Sequence, residues 1–165
     1  MMEWEKLLGV QWPKNQCDQS GECCRGAAQI KPWQNLMAQA ANGNPISRAF
    51  LNQYQPYPNQ EAALNTAPDA VQASTEIALS RGENPENLVF YHCIYLKNRN
   101  QCQIYEDRPT LCRDFPESPF GAIPKCCGYT QAKENCLEKA SQLRQQLAGL
   151  KALKAKMDSE ISAER

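Results

Sequence analysis

QCQIYEDRPTLCRDFP, residues 101–116, is the stretch on which the reading of this chain turns. It sets Cys102 and Cys112 on either side of a charged turn that holds Tyr105 and the Arg108-Pro109 pair. Thiolates are soft ligands that suit zinc and iron–sulfur centres, so two of them flanking a stiff turn are part of a metal shell in need of partners.

The partners are sought outward from that stretch. Just upstream, LVFYHCIYL (88–96) is rich in β-branched and aromatic residues. A polar turn at 97–100 joins it to CQIYE, and two short β-type runs joined in this way predict a hairpin that brings Cys93 beside Cys102. Far upstream, CDQSGECCR (17–25) is a second cysteine-dense knot. Asp18, Ser20 and Gly21 are turn residues, and they predict an irregular loop whose curl lets Cys17, Cys23 and Cys24 converge on one ion. Downstream, the breaker-rich segment 117–129 carries the doublet Cys126-Cys127. The candidate ligands are therefore Cys17, Cys23, Cys24, Cys93, Cys102, Cys112, Cys126 and Cys127. The ninth cysteine, Cys136, sits in a helical seam and reads as a small buried apolar residue.

Nine cysteines in 165 residues would suggest disulfides in a secreted domain. The N-terminal segment lacks the basic flank and long apolar core of a signal peptide, and an odd number of thiols cannot pair off completely, so metal ligation is the preferred reading. Eighteen basic and eighteen acidic residues leave no net field to attract nucleic acid, and no apolar run is long enough for a membrane helix. The expectation is a soluble, cytoplasmic protein with neither nucleic acid nor membrane as partner. Four thiolates around a divalent ion leave a negative centre, and Arg25, Arg108 and Arg113 lie close enough in sequence to neutralise it. The bland alternative for each arginine is a pair with a nearby carboxylate such as Glu106, Asp107 or Asp114. His92, the single histidine, reads as a hairpin residue rather than a ligand.

The rest of the chain reads as helices and breakers. A short helix over 3–10 packs Trp4, Leu7 and Leu8 on the body before Pro13. Pro32 opens a helix through Trp33, Leu36, Met37 and Ala40, and 46–54 adds a further turn or two. Segment 55–68, with three prolines, is an exposed connection with at most one short helix. Pro68 opens another helix, with Val71, Ile77, Ala78 and one of Ala73 or Ser74 inward and Gly82 at its end. From Thr130 onward Cys136, Ala140, Leu143, Leu147, Leu150, Met157 and Ile161 recur at spacings of four and three, with Lys154 interrupting one position. This predicts one long amphipathic helix that either packs on the domain or pairs with a partner protein or a second copy. The expected fold is mainly α with a small β-hairpin, built as an irregular cysteine-rich metal-bound domain over 1–129 and a C-terminal helix over 130–165.

CDQSGECCR followed by HCIYL, CQIYEDRP and CRDFP resembles the YkgJ-type family of zinc- or iron-chelating proteins, whose hallmark is a CxxCxxCC motif followed by C-x-IYE-x-RP-x-x-CR-x-FP. Cys102, Ile104, Tyr105, Glu106, Arg108, Pro109, Cys112, Arg113, Phe115 and Pro116 fall in place in the second motif. In the first, Cys17, Gly21, Cys23 and Cys24 match while Ser20 stands where the family has its second cysteine. The resemblance implies chelation of zinc or iron. In larger relatives such as flagellin lysine methylases it implies an iron–sulfur cluster. It hands over no reaction. Three roles follow: a metal-binding protein, a redox or radical enzyme component carrying an iron–sulfur cluster, and an interaction module in which zinc only holds the fold. No phosphate-cradling glycine loop and no nucleophile–base pair points to hydrolase or kinase chemistry.

Overall fold

The computed structural model of the chain describes all residues except 1, 15, 98, 99, 164 and 165, and the side chains of 161–163. The strands are short, even where the sequence favours a longer one. The best run, 88–96, yields one five-residue strand, β3 (Val89–Cys93), before Ile94 and Tyr95 turn the chain. β3 is the middle of a three-stranded antiparallel sheet, flanked by β1 (Ala27–Gln29) and β2 (Tyr54–Pro56). Its alternation assigns the two faces. Tyr91 and Cys93 enter a core with Leu36, Phe50 and Tyr54, while Phe90 enters a second one with Ala63, Ala78 and Leu88.

The expected hairpin is present in a smaller form than predicted. β4 (Leu96–Lys97) and β5 (Gln101–Cys102) form a separate two-stranded ribbon, with Leu96 opposite Cys102. Cys93 is not part of it, because the turn at Ile94 and Tyr95 ends β3 first. Two residues of the intervening polar turn, Asn98 and Arg99, lie outside the described residues.

Most of the chain is helical. α1 (Glu3–Leu8) leaves the helix at Gly9, ahead of Pro13, and buries Leu8 but leaves Leu7 79% exposed, contrary to the expectation that both pack. The knot 17–25 is not wholly irregular: its second half is α2 (Glu22–Arg25), entered through Gly21 in a left-handed conformation (φ 75°) that a side chain would strain. α3 (Trp33–Ala41) and α4 (Pro45–Leu51) pack on one another, and Asn44 caps α4 by accepting from the Ser47 amide at 3.0 Å. α5 (Gln60–Thr66) and α6 (Pro68–Ser80) follow, α6 presenting Ala70, Ala73, Ser74 and Ala78 inward. Such small residues allow close approach, and a Cβ placed on Gly26 would stand 2.2 Å from the Cβ of Ala70. α2 and β1 therefore lie directly against α6.

After α7 (Thr110–Arg113) an irregular segment leads into α8 (Thr130–Ala163). Leu8, Trp12, Ile123, Tyr129 and Cys136 form a third core cluster, so Cys136 is the buried apolar residue expected of it. Trp12 stacks on Tyr129 at 5.6 Å and donates its indole N–H to the Pro116 carbonyl at 2.7 Å. Ala140 and Leu143 close the cluster from α8, and every residue from 144 to 160 is exposed. The side chain of Ile161 lies outside the described residues.

Candidate metal centre

A cavity of about 410 Å³ opens between α2, the C-terminal end of β3, the β4–β5 ribbon, α7 and the segment before α8. Its wall includes Cys17, Cys23, Cys24, Cys93, Cys102, Cys112 and Cys127, every candidate ligand except Cys126. Local structure explains the delivery. α2 carries Cys23 and Cys24 in one turn, the register of β2 on β3 sets Cys93 opposite Tyr54, and α7 begins after Pro109 and turns Cys112 inward.

The thiols form an inner group and an outer one. In the inner group Cys24 lies within electrostatic reach of Cys23, Cys93 and Cys112, and Cys112 within that of Cys93 and Cys102. The neighbouring Cys23 thiol and burial push the Cys24 thiol far above its ordinary value. The neighbouring Cys24 thiol and burial do the same to Cys93, and burial raises Cys112. Thiols crowded in this way stay protonated until a cation compensates their charge, which is the chemistry of a soft-metal site.

In the outer group, Cys127 lies within electrostatic reach of Cys17, Cys126 and Asp18. Cys126 is exposed and its thiol donates to Asp69 Oδ2 at 3.6 Å. Among the described residues, the trio of candidate ligand atoms gathered within 4.8 Å is that of Glu22, Asp69 and Cys126. In a tetrahedral zinc shell with bonds of about 2.3 Å the sulfurs stand about 3.8 Å apart. The cavity thiols surround a common space and do not close on one point.

The three arginines separate. Arg108 lines the cavity, holds its guanidinium carbon 3.6 Å above the Tyr105 ring and donates from Nε to the Tyr105 carbonyl at 2.7 Å; its charge favours the Cys112 thiolate. Arg25 turns to Glu22 and to the Asn100 side-chain carbonyl. Arg113 is exposed and donates to the Arg108 carbonyl. Neither Arg108 nor Arg113 pairs with a carboxylate among the described residues, so the Glu106, Asp107 and Asp114 alternative does not describe them. His92 packs on the Tyr57 ring at 5.1 Å.

Two neighbours of the site escape a reading of the sequence. Gln53 is buried, and its Oε1 accepts from Cys112 Sγ at 3.5 Å; Tyr54, also buried, holds its hydroxyl 4.0 Å from the same sulfur. Gln53 immediately precedes β2 and Tyr54 opens it, in a segment that the sequence presents as the tail of a helix. The one local hint is the aromatic alternation of Tyr54 and Tyr57 around Pro56.

Ser20 lies on the cavity wall, its amide bonded to Asp18 Oδ1 at 3.1 Å. Among the described residues no helix is long and apolar enough to cross a membrane. The family model for CxxCxxCC, described as a putative zinc- or iron-chelating domain, matches residues 16–140. That span takes in every candidate ligand and the packed first turns of α8. No curated protein and no solved structure matches the chain.

Proposed function

The chain belongs to the CxxCxxCC family of zinc- or iron-chelating domains, and on that premise we propose that it holds its metal in the thiol-lined cavity. The inner thiols Cys24, Cys93 and Cys112 form the heart of the shell in this reading. Cys23 and Cys102 stand next to them, and Cys17 and Cys127 supply further donors from the outer side. The carrying observation is convergence: thiols spread between residues 17 and 127 line one cavity. The donor set fits zinc or iron, both of which accept thiolate sulfur. A metal held between such distant segments supplies folding energy, on the order of 10 kcal/mol for structural zinc in small peptides.

Arg108 is the cation that offsets the charge of the shell, being on the cavity wall and near Cys112. Arg25 acts from farther out by fixing Glu22 and Asn100, and Arg113 supports the Arg108 backbone. Cys126, beside Asp69, is a reserve donor at the rim. The cellular role of the protein in this reading is metal handling or metal-dependent regulation.

The spread of the thiols favours a second reading, an iron–sulfur cluster. A single tetrahedral ion draws its ligands onto one point, whereas the seven cavity thiols stand around a common space, the arrangement a polynuclear core would take. Elemental analysis with an anaerobic absorption spectrum decides between them. One zinc per chain and a colourless protein supports the mononuclear centre; a brown protein with several irons and inorganic sulfide supports the cluster. A protein purified and reconstituted with neither metal overturns both.

A further inference from the structure

α8 is longer than its packing accounts for. Its contact with the body ends at Leu143, and residues 144–160 continue as helix for about 25 Å with every side chain in solvent. An isolated helical segment of that length is marginal in water, and Gly149 in its middle weakens it further. It nevertheless carries a stripe: Leu147, Leu150, Leu153 and Met157 are between 53% and 64% exposed. We propose that this stripe pairs with the same stripe of a second copy, antiparallel, in a two-stranded coiled coil.

The charge pattern selects both the partner and its direction. Leu143, Leu147, Leu150, Lys154 and Met157 occupy successive seam positions at spacings of four, three, four and three. In a parallel pair Lys154 would face Lys154 of the second copy inside the seam, an unfavourable meeting. In an antiparallel pair centred near residue 152, Leu147 packs against Met157 of the second copy and Leu150 against the aliphatic stem of Lys154. The same register sets Arg144 beside Asp158 of the second copy, twice by symmetry, and Leu153 beside Leu153 at the dyad. Among the charged residues of the overlap only the flanking Lys151 meets its own kind. The basic run Arg144, Lys151, Lys154 and Lys156, followed by Asp158 and Glu160, is thus complementary to its own reverse.

Sedimentation velocity of the full chain over a wide range of concentration tests this, with metal content measured on the same samples. The expected result is a concentration-dependent dimer that becomes monomeric in Leu150→Ser/Met157→Ser with metal content unchanged. These side chains are exposed, so the variant keeps its fold. Leu153→Lys distinguishes direction. In the antiparallel pair it sets two lysines together and weakens the dimer about tenfold or more, and mixing with Leu153→Glu restores association. In a parallel pair the new lysine would meet Asp158 and strengthen the dimer. A wild-type chain that stays monomeric, a dimer indifferent to Leu150→Ser/Met157→Ser, or a dimer strengthened by Leu153→Lys each overturns the proposal.

Discussion

The hydroxyl of Tyr54 stands 4.0 Å from the sulfur of Cys112, the two brought together by a strand and a one-turn helix far apart in the chain. Burial and the surrounding thiols push the phenol far above its ordinary value, so it keeps its proton and can donate it in a hydrogen bond to a Cys112 thiolate. Tyr54→Phe preserves the stacking on Phe50, whose ring lies 4.7 Å away, and removes only the donor. The expected outcome is a folded protein that binds metal about tenfold to a hundredfold more weakly, the usual cost of losing a group that supports a ligand. Competition with a chelator measures it, and wild-type affinity would remove the phenol from the site.

Cys112 and Cys136 have opposite surroundings, one on the cavity wall and one buried between α1 and α8. Cys112→Ser is expected to lose metal. Cys136→Ser is expected to keep the full metal content while its melting temperature falls, through the cost of placing a hydroxyl in an apolar cluster, about 1–3 kcal/mol. Metal analysis beside thermal unfolding checks both, and equal metal loss in the two would contradict the assignment.

Ser20→Cys returns a thiol to the cavity wall at the position where the family motif has one. This variant is expected to bind cobalt with a stronger sulfur-to-metal charge-transfer band and to hold zinc roughly tenfold or more tightly against a chelator. An unchanged band would mean that the loop ending at Gly21 does not reach the metal.

Glu5 accepts from the Trp12 amide at 2.7 Å and from the Met2 amide at 2.6 Å, and these bonds hold its carboxyl below the ordinary carboxylate range. A depressed carboxyl stabilises the fold at pH values above its unfolded pKa, and that contribution is lost as pH falls through the folded value. Glu5→Gln should therefore lower the melting temperature near neutrality, with the gap to wild type narrowing as the solution is made acid. Metal release is common to both proteins and drops out of the difference. A gap independent of pH would show that the ionised carboxylate is not what Trp12 and Met2 require.

Local signals in the sequence carried much of this molecule. The breakers Pro32, Asn42-Gly43, Pro68 and Gly82 bound helices that form near where they predict, and the seam through Cys136, Ala140 and Leu143 is the face that α8 packs on α1. Cys102 and Cys112 were legible as a pair because a turn between them is a local matter. The three-stranded sheet was not, since Tyr54–Pro56 becomes a strand only by pairing with β3, and nothing within that triplet announces a distant partner. Gln53 and Tyr54 were missed for the same reason. Leu7 points outward, and a six-residue helix is too short for periodicity to separate its faces.

The contact between Gly26 and Ala70 gives this architecture its tolerance. Two thiols ride on α2, α2 abuts α6, and the separation between those helices is fixed by the absence of one methyl group. The aperture of the cavity is therefore gauged at a point on its wall that bears no sulfur. A change of a single carbon there would move Cys23 and Cys24 together, as a hinge pin moves a whole leaf, and the register between the two halves of the shell would shift with them.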